Sequence, residues 1–161
     1  GNGITSFANY TICSMGFLAD QISTYRFLFQ INTESNSARL SLGTGPDANK
    51  FQAALLRKAY EASVYAVLDK PAGRHLWTID LRNKLGTGTL IRDKTAASAS
   101  VNLTTAGISS GDLSVGAWLF AFNSTSYGKG RFYGGILLSS ENDITGAKAD
   151  IEEYLMEKMG I

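Results

Sequence analysis

Arg131–Ser140 (RFYGGILLSS) and, after a short polar interval, Thr145–Ile161 (TGAKADIEEYLMEKMGI) decide how the rest of the chain is read. The first stretch is short, apolar and aromatic, as a buried strand is. The second predicts the chain's one convincing α-helix, over Thr145–Met159. On a wheel of about 100° per residue, Ala147, Ile151, Tyr154, Leu155 and Met159 share an arc, with Asp150, Glu153 and Glu157 opposite. Thr145 is placed to cap the start, acids populate the early turns, Lys158 sits in the last turn and Gly160 follows as a stop. Ile151, Tyr154 and Leu155 are therefore expected to be buried. Glu152, Glu153 and Glu157 are expected on a solvated face.

Upstream of this unit the signals are those of short strands. Tyr10–Leu18, Tyr25–Ile31, Arg39–Leu42, Phe51–Leu56 and Val64–Leu68 come first, with Asn36-Ser37 a hairpin tip and Arg57–Ala62 a turn or short helix. Leu76–Leu81 puts Trp77, Ile79 and Leu81 on one face and Thr78, Asp80 and Arg82 on the other, by simple alternation. Thr87–Arg92, Ser100–Leu103 and Ala117–Phe122 follow, the last with Trp118, Phe120 and Phe122 on a core-like face. Turn-rich segments such as Gly43-Thr44-Gly45-Pro46-Asp47 lie between the runs, and 17 glycines against 2 prolines suit tight turns between strands. Many short strands without strand–helix alternation predict an all-β fold: a two-sheet antiparallel jelly-roll sandwich with one C-terminal helix on its edge or end.

The terminal residues also carry a resemblance. Ile151–Ile161 (IEEYLMEKMGI) resembles the closing helix "IEGYLAHKWGL" of concanavalin-A-like (laminin-G-like) lectin and glucanase domains. Gly130-Arg131-Phe132-Tyr133-Gly134-Gly135-Ile136 is similar to the "F-x-G-x-I" strand that precedes that helix. Glu153 stands where Gly is usual and Met159 where Trp is usual, and both suit a helix. The resemblance covers about thirty residues closely and the rest only in architecture. It implies one such domain over residues 1–161. It also implies a setting in a phage tail fibre, a tailspike or a bacterial surface protein.

Composition bounds the alternatives. A chain of 161 residues suits one domain with its own core, and 44% hydrophobic with 18% charged residues is a globular balance. The net charge is +1 without a basic run, so the electrostatic footprint of a nucleic-acid binder is missing. No apolar stretch approaches the length of a membrane span. Cys13, the single cysteine, has no internal disulfide partner and reads as a small buried hydrophobe. The Gly1-Asn2-Gly3 opening suggests a fragment of a longer protein.

Catalytic patterns are not evident. Glycosidases of this fold set carboxylates on one strand in an E-x-D-x-E spacing, so that acid and nucleophile share a face. Here Asp80 stands alone on its strand, and Glu141-x-Asp143 falls in the loop before the helix. His75 lacks an evident partner for nucleophilic catalysis, and one His with one Cys is too few for structural zinc. No cofactor is expected. Calcium is a lesser option, through loop oxygens of Asp47, Asn49 or Asp143.

A binding module remains. Sugar recognition sets an aromatic ring against a pyranose face, with amides and charged groups on the hydroxyls. Asn123-Ser124-Thr125-Ser126-Tyr127-Gly128-Lys129-Gly130 gathers those groups between glycines. The candidate carbohydrate-binding residues are Asn123, Tyr127 and Lys129, with Lys129 favouring an acidic glycan, and Asp80 and Arg82 as a second patch. The expected partner is a cell-surface glycan or polysaccharide, met by a homotrimer in a parent fibre, without nucleic acid or membrane insertion. The expected location is a virion or an extracellular surface. A fibre-assembly module without sugar binding and a glycan-cleaving enzyme are the alternatives.

Overall fold

Period-two alternation builds nearly everything in this chain. The computed structural model describes residues 9–21, 27–32, 39–44, 50–56, 64–82, 85–102, 116–119 and 129–161. Its elements are β1 (Tyr10–Gln21), β2 (Phe27–Asn32), β3 (Arg39–Thr44), β4 (Lys50–Leu56), β5 (Val64–Asp69) and β6 (Arg74–Arg82). They continue with β7 (Thr87–Arg92), β8 (Ala97–Asn102), β9 (Gly116–Leu119), β10 (Lys129–Ser140) and α1 (Thr145–Met159). Two antiparallel sheets form, ordered β10-β1-β6-β7-β8 and β5-β4-β3-β2-β9. This is the jelly-roll sandwich with a C-terminal helix that the sequence predicts. The hairpin-tip reading of Asn36-Ser37, the reading of Arg57–Ala62, and Phe120 and Phe122 all fall outside the described residues.

The first sheet is buried on both faces along β1 and β6, for two different reasons. Its inner face sends Cys13, Met15, Phe17, Trp77, Ile79, Leu81 and Leu90 towards the second sheet, where Phe51 and Ala66 are buried. The Phe51 and Trp77 rings meet across the gap at 4.3 Å between centroids. Burial pushes the Cys13 thiol up to about 12, the behaviour of an inert core cysteine.

The outer face of the same sheet is covered by α1. The helix lies over β10, β1 and β6 rather than on an edge or end of the sandwich. Two glycines make that seat. Gly16 and Gly134 face each other across the β1–β10 pair. A Cβ on Gly16 would overlap the Met159 sulfur, while one on Gly134 would press Leu155 Cδ2 at 3.4 Å. Gly134 also has φ +153°, and the pairing slips by one residue beside it, leaving Tyr133 bulged. Leu76, Leu155 and Met159 form the buried contact, with Tyr133, Ile151 and Met156 around them.

Two details of the helix differ from the sequence reading. Tyr154 is 53% exposed, whereas Glu152 is 4% exposed. The contact stripe follows Glu152, Leu155 and Met159, and Tyr154 lies on its flank beneath the Lys158 ammonium, 5.8 Å from the ring centroid. Thr145 does not cap the helix. Ile144 occupies the N-cap without a side-chain bond, the first turn holds no acid, and the Asp143 carboxylate accepts the Thr145 N–H at 2.8 Å. The far end behaves as expected. Gly160 adopts the left-handed conformation, and the N–H groups of Gly160 and Ile161 bond to Glu157 O and Met156 O, a Schellman closure.

Leu155→Ala should cost about 2–5 kcal/mol, as truncation of a buried leucine does, measured by denaturant unfolding; wild-type stability would contradict the seat. Gly16→Ala should cost about 1–3 kcal/mol by overpacking. A double-mutant cycle with Met159→Ala should recover most of that cost, because the shorter side chain vacates the space. An additive cycle would show that Gly16 and Met159 do not share the contact.

Candidate functional site

The topology sorts the described strand termini to two ends. One end carries Asp69, Arg74, Arg92, Leu119 and Lys129, with the described connections 70–73 and 93–96. The opposite end carries Arg82, Thr87 and Ser140, with the start of α1 beyond. The described members of the two candidate patches, Lys129 on one side and Asp80 with Arg82 on the other, therefore lie at opposite ends. Lys129 pairs in register with Gln21 at the first end, while Asp80 and Arg82 lie towards the second. Asn123 and Tyr127 fall outside the described residues, as do the calcium candidates Asp47 and Asn49. Among the described residues, no group of three acidic, histidine or cysteine side chains is gathered as for a metal.

At the second end Asp80 and Arg82 form a tight unit. Arg82 Nε and Nη2 donate to the two Asp80 oxygens at 2.6 and 2.9 Å, a bidentate pair whose side chains are 18% and 11% exposed. The guanidinium also lies 5.1 Å from the centroid of the Tyr10 ring, and its Nη1 donates to Thr145 Oγ1 at 3.0 Å. Lys148 Nζ stands 3.9 Å from Asp80 Oδ2. The sheet face that alternation left open, Thr78 and Asp80 included, is thus buried at the helix start, and Thr78 spends its hydroxyl on Ser14 at 2.9 Å. Much of this patch's bonding is turned inward, and Asp143, 63% exposed, is what it offers to solvent.

The first end holds an arrangement that sequence reasoning missed. Phe17, Phe51 and Trp77 floor a crevice whose walls are Lys70, Pro71, Gly73 and His75. It is narrow, with no interior room for a water-sized sphere, so a ligand would lie across its mouth. His75 has a carboxylate partner after all: Nδ1 lies 2.8 Å from Asp93 Oδ2, and Nε2 lies 3.1 Å from the Ala72 carbonyl. Asp93 also accepts the Leu76 N–H at 2.9 Å through its other oxygen. Asp93 and Lys94 turn the chain with φ of 48° and 64°, in the left-handed region. The pairing was countable from the sequence. Arg82 faces Thr87 across the β6–β7 hairpin, and stepping outward from that pair brings Asp93 level with Leu76.

By sequence the chain matches no protein-family profile and no curated protein. By structure it is similar to a heptameric SAP-like pentraxin from Limulus polyphemus, with TM-score 0.59, 10% identity, and coverage of 83% of this chain and 66% of that one. The family 7 alginate lyase A1-II′, solved with its substrate, gives TM-score 0.58 and 10% identity over 89% of this chain and 66% of the lyase. The sialidase CBM40 of Ruminococcus gnavus, bound to α2,3-sialyllactose, gives 0.58 and 7% over 92% and 84%. This chain has the concanavalin-A-like jelly-roll fold. It spans just under two thirds of the pentraxin and the lyase. Within this jelly roll, binding modules and a lyase share one scaffold, so side chains rather than fold decide the chemistry.

One prediction concerns the helix start. Hydrogen bonds from the Thr145 hydroxyl and N–H hold the Asp143 carboxyl below the usual aspartate value, with Arg82 adding attraction. A depressed folded-state value adds stability above the ordinary aspartate range and loses it as pH falls through the folded value. Melting temperature should therefore drop less steeply on acidification below about pH 4 in Asp143→Asn than in wild type. Parallel curves would remove Asp143 from the account.

Proposed function

We propose that this chain is a non-catalytic carbohydrate-binding module, recognising host-surface glycans from a phage tail fibre or tailspike. The observation that carries the reading is the likeness to CBM40. A domain of nearly the same extent, solved with a sialylated sugar in place, shares this sandwich over 92% of the present chain. The described acids support a binding role over hydrolysis. Asp80 is engaged by Arg82, Asp93 by His75 and the Leu76 N–H, and Asp143 by Thr145.

Asn123, Tyr127 and Lys129 remain the residues of choice, with Tyr127 stacking on a sugar ring and Asn123 on hydroxyls. Leu119 and Lys129, the described residues on either side of the segment that holds the first two, lie at the crevice end. Asp80 and Arg82 form the second candidate patch. Stacking with a pair of hydrogen bonds gives affinity on the order of millimolar. Presentation as a homotrimer on a fibre would raise avidity by about 10²–10⁴.

Tyr127→Ala, displayed multivalently, should lose binding to whole bacteria and purified surface polysaccharide by about tenfold or more per site. Unchanged binding would remove that loop from the site. If the wild type binds no glycan on an array, a fibre-assembly role takes precedence.

A further inference from the structure

The net charge of +1 conceals a separation that only the fold reveals. Lys50, Lys70, Arg74 and Arg92 all sit at strand termini of the crevice end, and Lys94 occupies the exposed turn beside them. Lys129 and Arg131 begin β10 at the same end, and Lys158 closes α1 there. Against these stand Asp20, Asp69, Asp93 and Glu157. The opposite half reverses the sign: Asp80, Glu141, Asp143, Asp150, Glu152 and Glu153 outnumber Arg39, Arg82 and Lys148. The separation therefore belongs to the strand ends and the helix.

The basic end also carries the crevice, whose mouth a ligand would lie across. Phe17, Phe51 and Trp77 lie beneath the crevice, with Lys70 and His75 at its walls. Pro71, Ala72 and Gly73 are exposed, and Gly73, at φ +109°, has no neighbour closer to a would-be Cβ than His75 Nε2 at 3.8 Å, so a ligand can approach the backbone. Cations grouped over a low-dielectric floor raise the local concentration of anions.

We propose that the Asp69–Arg74 end of the sandwich is the docking surface for an anionic glycan, one carrying carboxylate, sulfate or phosphate groups. The inference rests on the glycan-binding reading and extends the acidic preference expected of Lys129 to a whole end of the molecule. Attraction at exposed cations is screened within about 8 Å at physiological salt, so binding weakens as salt rises.

The test uses the full chain on immobilised alginate, dextran sulfate, neutral dextran and poly-L-glutamate, at low and high sodium chloride. Alginate and dextran sulfate separate carboxylate from sulfate recognition, and binding to either supports the proposal. Lys94→Gln with Arg131→Gln removes two exposed cations at the basic end. Asn142→Asp with Gly146→Glu adds two acids at the other end, where a Cβ on Gly146 meets nothing within 4 Å. The two variants carry the same net charge, and matched melting temperatures establish that both fold. The first should bind the anionic polymer about tenfold more weakly with a shallower salt dependence; the second should change less than about twofold. Equal losses would overturn the assignment to one end. Dextran bound as tightly as alginate would overturn the ligand class while leaving glycan binding intact. Poly-L-glutamate bound as tightly as alginate would reduce the surface to a general polyanion contact and overturn the proposal. Absence of binding to every carbohydrate would overturn the glycan-binding reading itself.

Discussion

Met159 occupies the space that a side chain at position 16 would need, and Leu155 lies in van der Waals reach above Gly134, whose φ of +153° itself disfavours a side chain. Those two approaches let a helix lie flat on a sheet whose other face already packs against a second sheet. A larger residue at either position would lift α1, exposing Leu76 and opening the buried polar row beneath. Glu152 depends on that seat as well. Its Oε1 is buried without a hydrogen-bond partner among the described residues, an arrangement that stands only because the apolar contacts around Leu155 and Met159 over-determine the helix position.

One strand measures the helix from end to end. Arg82 meets Thr145 and the Asp143 carboxylate at the start of α1, while Arg74 donates to the Met159 carbonyl at its close. Both arginines belong to β6. A fifteen-residue helix spans about 22 Å, and the eight steps from Arg82 to Arg74 span about 26 Å. The lengths are similar and the helix runs antiparallel to the strand, so each arginine meets one helix end. A cation at the helix C-terminus also opposes its dipole favourably.

The strands were legible because alternation is a local property, read from neighbours along the chain. Trp77, Ile79 and Leu81 point inward as their spacing requires. The terminal helix was legible from its length, its Gly160 stop and its likeness to a known motif. Its orientation was not. A wheel weighs hydrophobicity, yet the helix rests on a face that includes Ser14, Thr78 and Asp80, all buried. A mixed seat accepts Glu152 and leaves Tyr154 on the flank. The His75–Asp93 contact, and the gathering of lysines and arginines at one end, depend on register and strand direction. Of the candidate site, the sequence supplied residue types; the fold supplied which of the described ones are neighbours, and it set Lys129 at the end opposite Asp80 and Arg82.

β1 is flanked by β10 on one side and β6 on the other, so the first described strand is completed by the last. Tyr10 faces Ser140, a loop closure across most of the domain, and contacts of such sequence separation form slowly. During synthesis the earliest strand must wait, one flank unsatisfied, until β10 and the helix that covers it have left the ribosome. The consequence is a sandwich that matures as a unit. A nascent chain halted before residue 129 leaves one edge of β1 with unpaired N–H and C=O groups, a template that invites chaperones or a neighbouring nascent chain.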